Sequence, residues 1–203
     1  MKLLKKINGV EVKRTFVISN FISVKKDRRK HLGFVPENIF RKKLKNSIKK
    51  TLVLKESQLD KIIKNEWKKR LVAYNNSDWY LGEVKINEVG VWKRAGGLPL
   101  SWTNNSLSET AKKVKYALDH NPKLLKKRSR YSIPNMLKTN IHILRKEKYL
   151  LPIIFKGGTG TKGRRGLKRR MNGDIDDGCM RSIALTIAGN KKFRAYIGIP
   201  KKK

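Results

Sequence analysis

The chain of 203 residues carries 51 lysine and arginine residues against 15 aspartate and glutamate residues, which gives a formal net charge of +36 at pH 7. No apolar run of about 18 residues is present, which excludes a membrane-spanning helix, and a single cysteine excludes an internal disulfide and fits a reducing compartment. Self-repulsion at this charge favours a polyanionic partner, so nucleic acid is expected, with an anionic membrane surface as the weaker alternative.

The first 75 residues are predicted to form a basic N-terminal extension of short strands and two helices, with a boundary near Asn75-Asn76-Ser77. Short runs over 10–24, rich in valine, isoleucine and phenylalanine, predict the strands. Over 37–70 the apolar residues recur at helical spacing, which predicts the two helices. Their opposite faces are rich in lysine, a pattern typical of a nucleic-acid-binding unit and equally of an ordinary solvated surface.

Residues 76–200 are predicted to form an α/β domain, of the α+β type, around a mixed sheet. Alternating apolar residues over 79–89 predict a strand or two, and a short apolar run over 152–155 predicts a buried strand. A helix is predicted to begin at Ser106 or Ser108, either of which can serve as its N-cap.

The segment 156–170 contains seven basic residues, five glycines and no acidic residue. Glycine gives the backbone freedom and arginine offers a planar fork to phosphate, so the segment is expected to form a flexible loop or extended hairpin over an anionic ligand. The order Lys162-Gly163 does not fit a P-loop, which requires Gly-Lys followed by serine or threonine. The candidate nucleic-acid-binding residues of this segment are Lys162, Arg164, Arg165, Lys168, Arg169 and Arg170.

The most specific pattern is Asp177-Gly178-Cys179-Met180-Arg181, in which a glycine turn leads into an apolar helix with an arginine in its first turn. Backbone N–H groups at a helix start, together with an arginine, can hold a phosphate. Gly178, Cys179, Met180 and Arg181 are therefore the candidate residues for binding a phosphate or a nucleotide. The alternatives are a plain turn glycine and a surface salt bridge between Arg181 and an aspartate.

Three carboxylates, from Asp174, Asp176 and Asp177, precede this turn and could hold a divalent cation next to a bound phosphate. On that interpretation Asp176 and Asp177 are candidate catalytic residues; on the competing one, either of them caps the helix and binds no metal. Cys179 is a third catalytic candidate because a helix start beside an arginine favours thiolate chemistry. The competing interpretation for Cys179 is an inert, buried side chain.

The C-terminal part of the chain resembles the ParB N-terminal and sulfiredoxin-like superfamily. That superfamily has a Pro-Ile-x-Val strand, a hairpin, an Asp-Gly-x-x-Arg-x-x-Ala helix start, a glycine at the helix end and a closing strand. The matching residues are 152–155, 177–184, Gly189 and 193–197, and the looser resemblance extends over 78–200. One departure is Met180, which stands where the family commonly has histidine or arginine.

The resemblance implies a small mixed-sheet domain of the ParB and sulfiredoxin type, with a nucleotide or phosphate bound at the Asp177–Arg181 turn. Members include CTP-binding partition proteins, DNA nucleases, ADP-dependent serine kinases and sulfiredoxins. We therefore expect a ParB-like protein that binds DNA rather than RNA through the basic loop and helices, with CTP, ATP or ADP and Mg²⁺ as candidate cofactors. The alternatives are a ParB-like nuclease or nucleotide-dependent phosphotransferase, and a basic structural component of a ribonucleoprotein or virion.

The expected location is the cytoplasm, on the nucleoid or, for a viral protein, in the host cell, and a homodimer is one assembly to test. The lysine-, asparagine- and isoleucine-rich composition is typical of an AT-rich genome, such as that of a phage or an archaeon.

Overall fold

The computed structural model describes residues 1–22, 36–157 and 171–201, and within them six strands form one mixed sheet. The strands are β1 (Lys2–Ile7), β2 (Ser77–Lys85), β3 (Val89–Gly90), β4 (Ile153–Lys156), β5 (Gly173–Asp177) and β6 (Lys192–Pro200). Their order in the sheet is β1-β2-β6-β4-β5-β3. The pairs β1–β2, β2–β6 and β4–β5 are antiparallel, whereas β4–β6 and β3–β5 are parallel.

Helices cover both faces of this sheet. They are α1 (Gly9–Ile22), α2 (Glu37–Leu52), α3 (Glu56–Asn75), α4 (Leu100–Thr103), α5 (Leu107–His120), α6 (Lys127–Asn135), α7 (Ile141–Lys146) and α8 (Cys179–Ile187). A π-helical segment, Met136–Asn140, joins α6 to α7 and begins two residues after Pro134, which lacks the N–H of a regular helix. The predicted α+β class with a mixed sheet is confirmed.

The N-terminal residues belong to the same sheet as the rest of the described chain. Strand β1 pairs with β2 across the boundary predicted near residue 76, which itself falls between the end of α3 and the start of β2. The predicted strands over 10–24 are wrong, because residues 9–22 form α1; residues 23 and 24 lie outside the described part.

The physical reason for this error is that α1 is buried nearly all round. Val12, Phe16, Val17 and Ile18 are each at most 1% exposed, so the helix has no polar face that would reveal a helical period. Its β-branched residues then resemble a strand in composition, and packing overrides that local preference.

Helix α5 begins where the serine signal predicts. The Ser106 hydroxyl accepts from the Glu109 N–H at 3.2 Å, and the Glu109 carboxylate accepts from the Ser106 N–H at 3.2 Å. This reciprocal capping box satisfies two backbone donors at the helix start. The helix ends at His120, before Asn121 and Pro122.

Alternate residues of the central strands face two different hydrophobic clusters, as the two-residue period of a strand requires. Ile154 and Ile197 contribute to a cluster that also receives α5 and α8. Phe155 and Tyr196 contribute to the other cluster, which receives α3 and most of α1. In that second cluster Tyr74 lies edge-on to Trp79, with ring centroids 5.3 Å apart, and this packing fixes Tyr74 beneath the end of β5.

No helix in the described part of the chain combines the length and the apolar character that crossing a bilayer requires.

Candidate functional site

The Asp177–Arg181 turn lies at the end of the β4–β5 hairpin and opens helix α8. Gly178 is the N-cap residue and has φ of 91° and ψ of 16°, in the left-handed region. A Cβ atom at this position would lie 2.9 Å from the Arg181 guanidinium and 3.2 Å from the Pro152 backbone. The left-handed backbone therefore favours glycine here, and a Cβ would also crowd Pro152, the residue before β4. Helix α8 ends before Gly189, which also has positive φ.

Asp176, at the end of β5, is fully enclosed and paired with two residues of α3. Its side chain is 1% exposed, the Arg70 Nε donates to its Oδ2 at 2.7 Å, and the Tyr74 hydroxyl donates to the same oxygen at 3.0 Å. Arg70 also donates to the Asp176 carbonyl oxygen at 3.2 Å. Because Arg70 and Tyr74 are one helical turn apart, both reach the carboxylate from the same face of α3.

The Arg70 guanidinium is held by aromatic rings as well as by the carboxylate. It lies 4.7 Å from the centroid of the Phe16 ring and 6.0 Å from that of Trp92, distances at which a cation is attracted to a ring face. Burial opposes the charge of Arg70, but Asp176, Tyr74 and Asp177 together outweigh burial and raise the pKa of the arginine. Arg70 therefore stays charged in this enclosed place.

Burial also changes the titration of its partners. Burial raises the pKa of Asp176 above its usual value, even though Arg70 acts in the opposite direction. Burial, followed by the charge of Asp176, raises the pKa of Tyr74 well above its usual value, so its hydroxyl remains a donor.

Asp177 is paired with α8 and α1. The Arg181 Nη2 donates to its Oδ2 at 2.8 Å and the Ser19 hydroxyl donates to the same oxygen at 2.9 Å. Burial raises the pKa of Asp177, but the Arg181 and Arg70 guanidiniums outweigh it, so the pKa lies below its usual value. The predicted salt bridge of Arg181 with an aspartate is thus present, with the arginine buried and the Asp177 side chain 21% exposed.

These four residues, Arg70, Asp176, Asp177 and Arg181, form an aspartate–arginine cluster with two charges of each sign. Three buried polar atoms around it have no hydrogen-bond partner among the described residues. They are Asp176 Oδ1, Arg181 Nε and Ser182 Oγ. Such atoms are uncommon in a folded protein, and this turn is one of several places in the described chain that contain them; both side-chain polar atoms of Asn140 form another.

The predicted helix cap is not found. The N-cap residue of α8 is Gly178, and neither Asp176 nor Asp177 makes a side-chain cap, because both carboxylates point to arginines. The predicted metal set also has no support within the described residues, which contain no group of three or more histidine, cysteine or acidic side chains able to hold a metal ion. The third candidate, Asp174, is buried in β5 next to Phe155 of β4.

Cys179 and Met180, the remaining residues of the turn, are buried under the neighbouring loop. The Cys179 thiol accepts from the Trp92 N–H at 3.4 Å and donates to the Ile175 carbonyl at 3.6 Å. This is the environment of a packed side chain rather than of an exposed nucleophile. The Met180 sulfur lies against Gly96, where an added Cβ would come within 2.5 Å of it.

The predicted basic-loop residues Lys162, Arg164, Arg165, Lys168, Arg169 and Arg170 lie outside the described part of the chain. Sequence reasoning missed Ser19, Arg70 and Tyr74, which come from the N-terminal 75 residues and complete the cluster. One signal could have found two of them: Arg70 and Tyr74 stand four apart on a helix whose other basic residues are lysines.

No family model matches this chain, and neither a curated protein nor a solved structure is significantly similar to it. The strand, hairpin, glycine turn, helix and closing strand occur in the order that the ParB-like resemblance implies. Membership of that superfamily remains a prediction from the sequence motif.

Proposed function

We propose that this chain binds nucleic acid, DNA in preference to RNA, through contacts with the phosphate backbone. The observation that carries the proposal is a pair of exposed lysine faces, one on each of the helices α2 and α3. The α2 lysine face consists of Lys42, Lys45 and Lys49, and the α3 lysine face consists of Lys61, Lys64 and Lys68.

Spacings of three and four residues place the lysines of each set on one side of their helix. All six lysines of the two faces are exposed, and none of them forms an ion pair among the described residues. Unpaired cations in rows attract a polyanion and release its condensed counterions when they bind.

Four of the described carboxylates that could offset this charge are paired with other residues. Asp176 and Asp177 are paired inside the aspartate–arginine cluster. Glu56 and Asp60 of α3 face the buried Lys13 of α1, with ion-pair distances of 2.7 and 2.6 Å. These two carboxylates of α3 are therefore directed to Lys13 of α1 rather than to the α3 lysine face.

The test is fluorescence anisotropy with a labelled DNA duplex and an RNA strand of equal length, titrated at several salt concentrations. We expect binding whose logarithm falls linearly with the logarithm of salt concentration. In the triple variant K61Q/K64Q/K68Q, the slope should decrease by up to about 2.7, because each lost phosphate contact contributes about 0.9.

The matched control is the triple variant K112Q/K113Q/K123Q, on α5 and the turn after it, which removes the same charge from exposed lysines that form no ion pair among the described residues. Helix α5 contributes to a different hydrophobic cluster from α3, so the control changes a separate element of the fold. Equal losses from both variants would show attraction to total charge alone, without an α3 interface. Absence of salt-dependent binding to either nucleic acid would remove the proposal, and tighter binding to the RNA strand would remove the preference for DNA.

A second candidate function is the binding of a nucleotide phosphate at the start of α8. It is favoured by Gly178, which leaves the helix start without a side-chain cap, and by the unpartnered Nε of Arg181. A bound phosphate would have to displace the Asp177 carboxylate from Arg181, since both are anions competing for one guanidinium. The test is a thermal-shift measurement on wild type and R181K with CTP, ATP or ADP, each with and without Mg²⁺. Stabilisation of wild type that R181K loses supports the phosphate site. The absence of a shift with any nucleotide removes this candidate function.

A further inference from the structure

The turn formed by residues 92–97, directly after β3, holds an arginine in a conformation that arginine rarely adopts. Arg94 has φ of 55° and ψ of 30°, and it is the single non-glycine residue with positive φ in the described part of the chain. The other two left-handed residues of this turn, Gly96 and Gly97, are both glycine. Left-handed backbone is strained for any residue with a Cβ, and among such residues asparagine and aspartate tolerate it best.

Three surrounding elements fix the turn in place. The Arg94 N–H donates to Thr103 Oγ1 of α4 at 2.9 Å, and the Gly96 carbonyl accepts from the Ser129 hydroxyl of α6. The Trp92 N–H donates to the Cys179 thiol at the start of α8. The backbone is thus over-determined by its neighbours, which is how a strained residue persists in a folded protein.

The side chain of Arg94 does not contribute to this scaffold. It is exposed, as is that of Lys93, and neither side chain makes a hydrogen bond or an ion pair among the described residues. A glycine at position 94 would form the same turn without strain, and the contact that holds the turn uses only the backbone N–H of Arg94. The fold therefore gives no reason for an arginine here, and its exposed guanidinium is the property that a glycine would lose.

We infer that Arg94, assisted by Lys93, is a phosphate-binding residue that the 92–97 turn presents at a fixed position. The inference rests on the proposed function and deepens it: the lysine faces supply general attraction, whereas Arg94 supplies an oriented contact. A guanidinium can meet a phosphate with two parallel hydrogen bonds. A rigid turn reduces the backbone freedom that is lost when the contact forms.

The experiment measures thermal stability and DNA affinity on the same variants. R94G and R94N remove the side chain and place residues suited to positive φ, so their midpoints of unfolding should equal or exceed that of wild type. Their affinity for the labelled duplex at physiological salt should fall about tenfold, as expected for the loss of a charge-assisted contact. R94K keeps the charge without the fork and should fall between R94G and wild type.

The matched control is R194Q, which removes one charge from an exposed arginine of β6 that forms no ion pair among the described residues. Its affinity should change less than about twofold, because a general charge effect is small and shared. If wild type binds DNA and R94G and R94N bind equally well, or no worse than R194Q, the inference is overturned while the proposed function stands. If R94G and R94N are both clearly less stable than wild type, the side chain serves the fold and the inference is likewise overturned. If wild type binds no nucleic acid, both fail together.

Discussion

The buried pair of Arg70 and Asp176 gives the sharpest test of how the N-terminal helices are joined to the rest of the sheet. The perturbation is R70M, which keeps most of the aliphatic volume and removes the guanidinium. Asp176 would then retain one donor, the Tyr74 hydroxyl at 3.0 Å, for a carboxylate whose side chain is 1% exposed. A buried charge that loses its partner is strongly destabilising, since it can no longer recover its solvation energy.

The magnitude follows from that environment. Removal of one partner of a buried pair costs about 3–5 kcal/mol of stability. The lost contact between Arg70 and the Phe16 ring adds a smaller cost, which methionine recovers in part by packing against the ring. We expect about 3–4 kcal/mol at neutral pH. For a chain of this size, that corresponds to a fall of roughly 6–16 °C in the midpoint of thermal unfolding.

The pH dependence provides an independent check. The pKa of Asp176 is already raised in the folded protein by burial, and the loss of Arg70 raises it further. A carboxyl group whose pKa is higher in the folded than in the unfolded protein makes its full contribution to stability below its unfolded pKa, about 3.9. This contribution is lost as pH rises through the folded pKa. The difference in stability between R70M and wild type should therefore be smaller near pH 5 than near pH 7.5.

The assay is urea denaturation followed by tryptophan fluorescence, since Trp79 and Trp92 both lie close to the pair. The double variant R70M/D176N removes the stranded charge and should recover at least about 1 kcal/mol of the loss. The control R194M, at an exposed arginine of β6, should stay within about 0.5 kcal/mol of wild type. The reasoning is refuted if R70M costs less than about 1 kcal/mol, or if D176N fails to rescue it.

Three further outcomes follow from the same part of the molecule. G178A should lose about 1–3 kcal/mol in thermal or urea unfolding, because alanine is strained at a φ of 91°; a loss below about 0.5 kcal/mol would contradict this. Because the pKa of Asp177 is lowered in the folded protein, its pairing stabilises the fold above the unfolded pKa, and this stabilisation is lost as pH falls through the folded pKa. D177N should therefore flatten the acid side of the profile of stability against pH. An unchanged profile would speak against the pairing. S106A should lose about 1 kcal/mol through its capping box, measured against S108A as the control, which is expected to have little effect.

The sequence predicted those features that depend on neighbours along the chain. A serine cap at Ser106 or Ser108, the strand over 152–155 and the glycine turn at Gly178 each follow from local chemistry. The structure contains all three, with Ser106 as the cap. The prediction for α1 was wrong because its burial comes from partners far along the chain, which no local period reveals. The site showed the same limit: Arg70 lies 106 residues from Asp176, so nothing in the local sequence pairs them.

The aspartate–arginine cluster also separates the contribution of charge to folding from its contribution to binding. Arg70 and Arg181 are neutralised internally by Asp176 and Asp177, so this cluster adds no net charge to the field that a polyanion meets. On the proposed function, the attraction comes from cations that have no partner among the described residues, such as the α2 and α3 lysine faces and Arg94. Variants such as R70M should therefore lower stability while leaving the salt slope of DNA binding unchanged wherever the variant is folded. Variants of the lysine faces should lower the slope and leave stability unchanged or slightly higher, because they relieve repulsion among like charges. A slope that fell in R70M under folding conditions would show that the cluster itself belongs to the binding surface, and measuring both quantities on both sets of variants decides the matter.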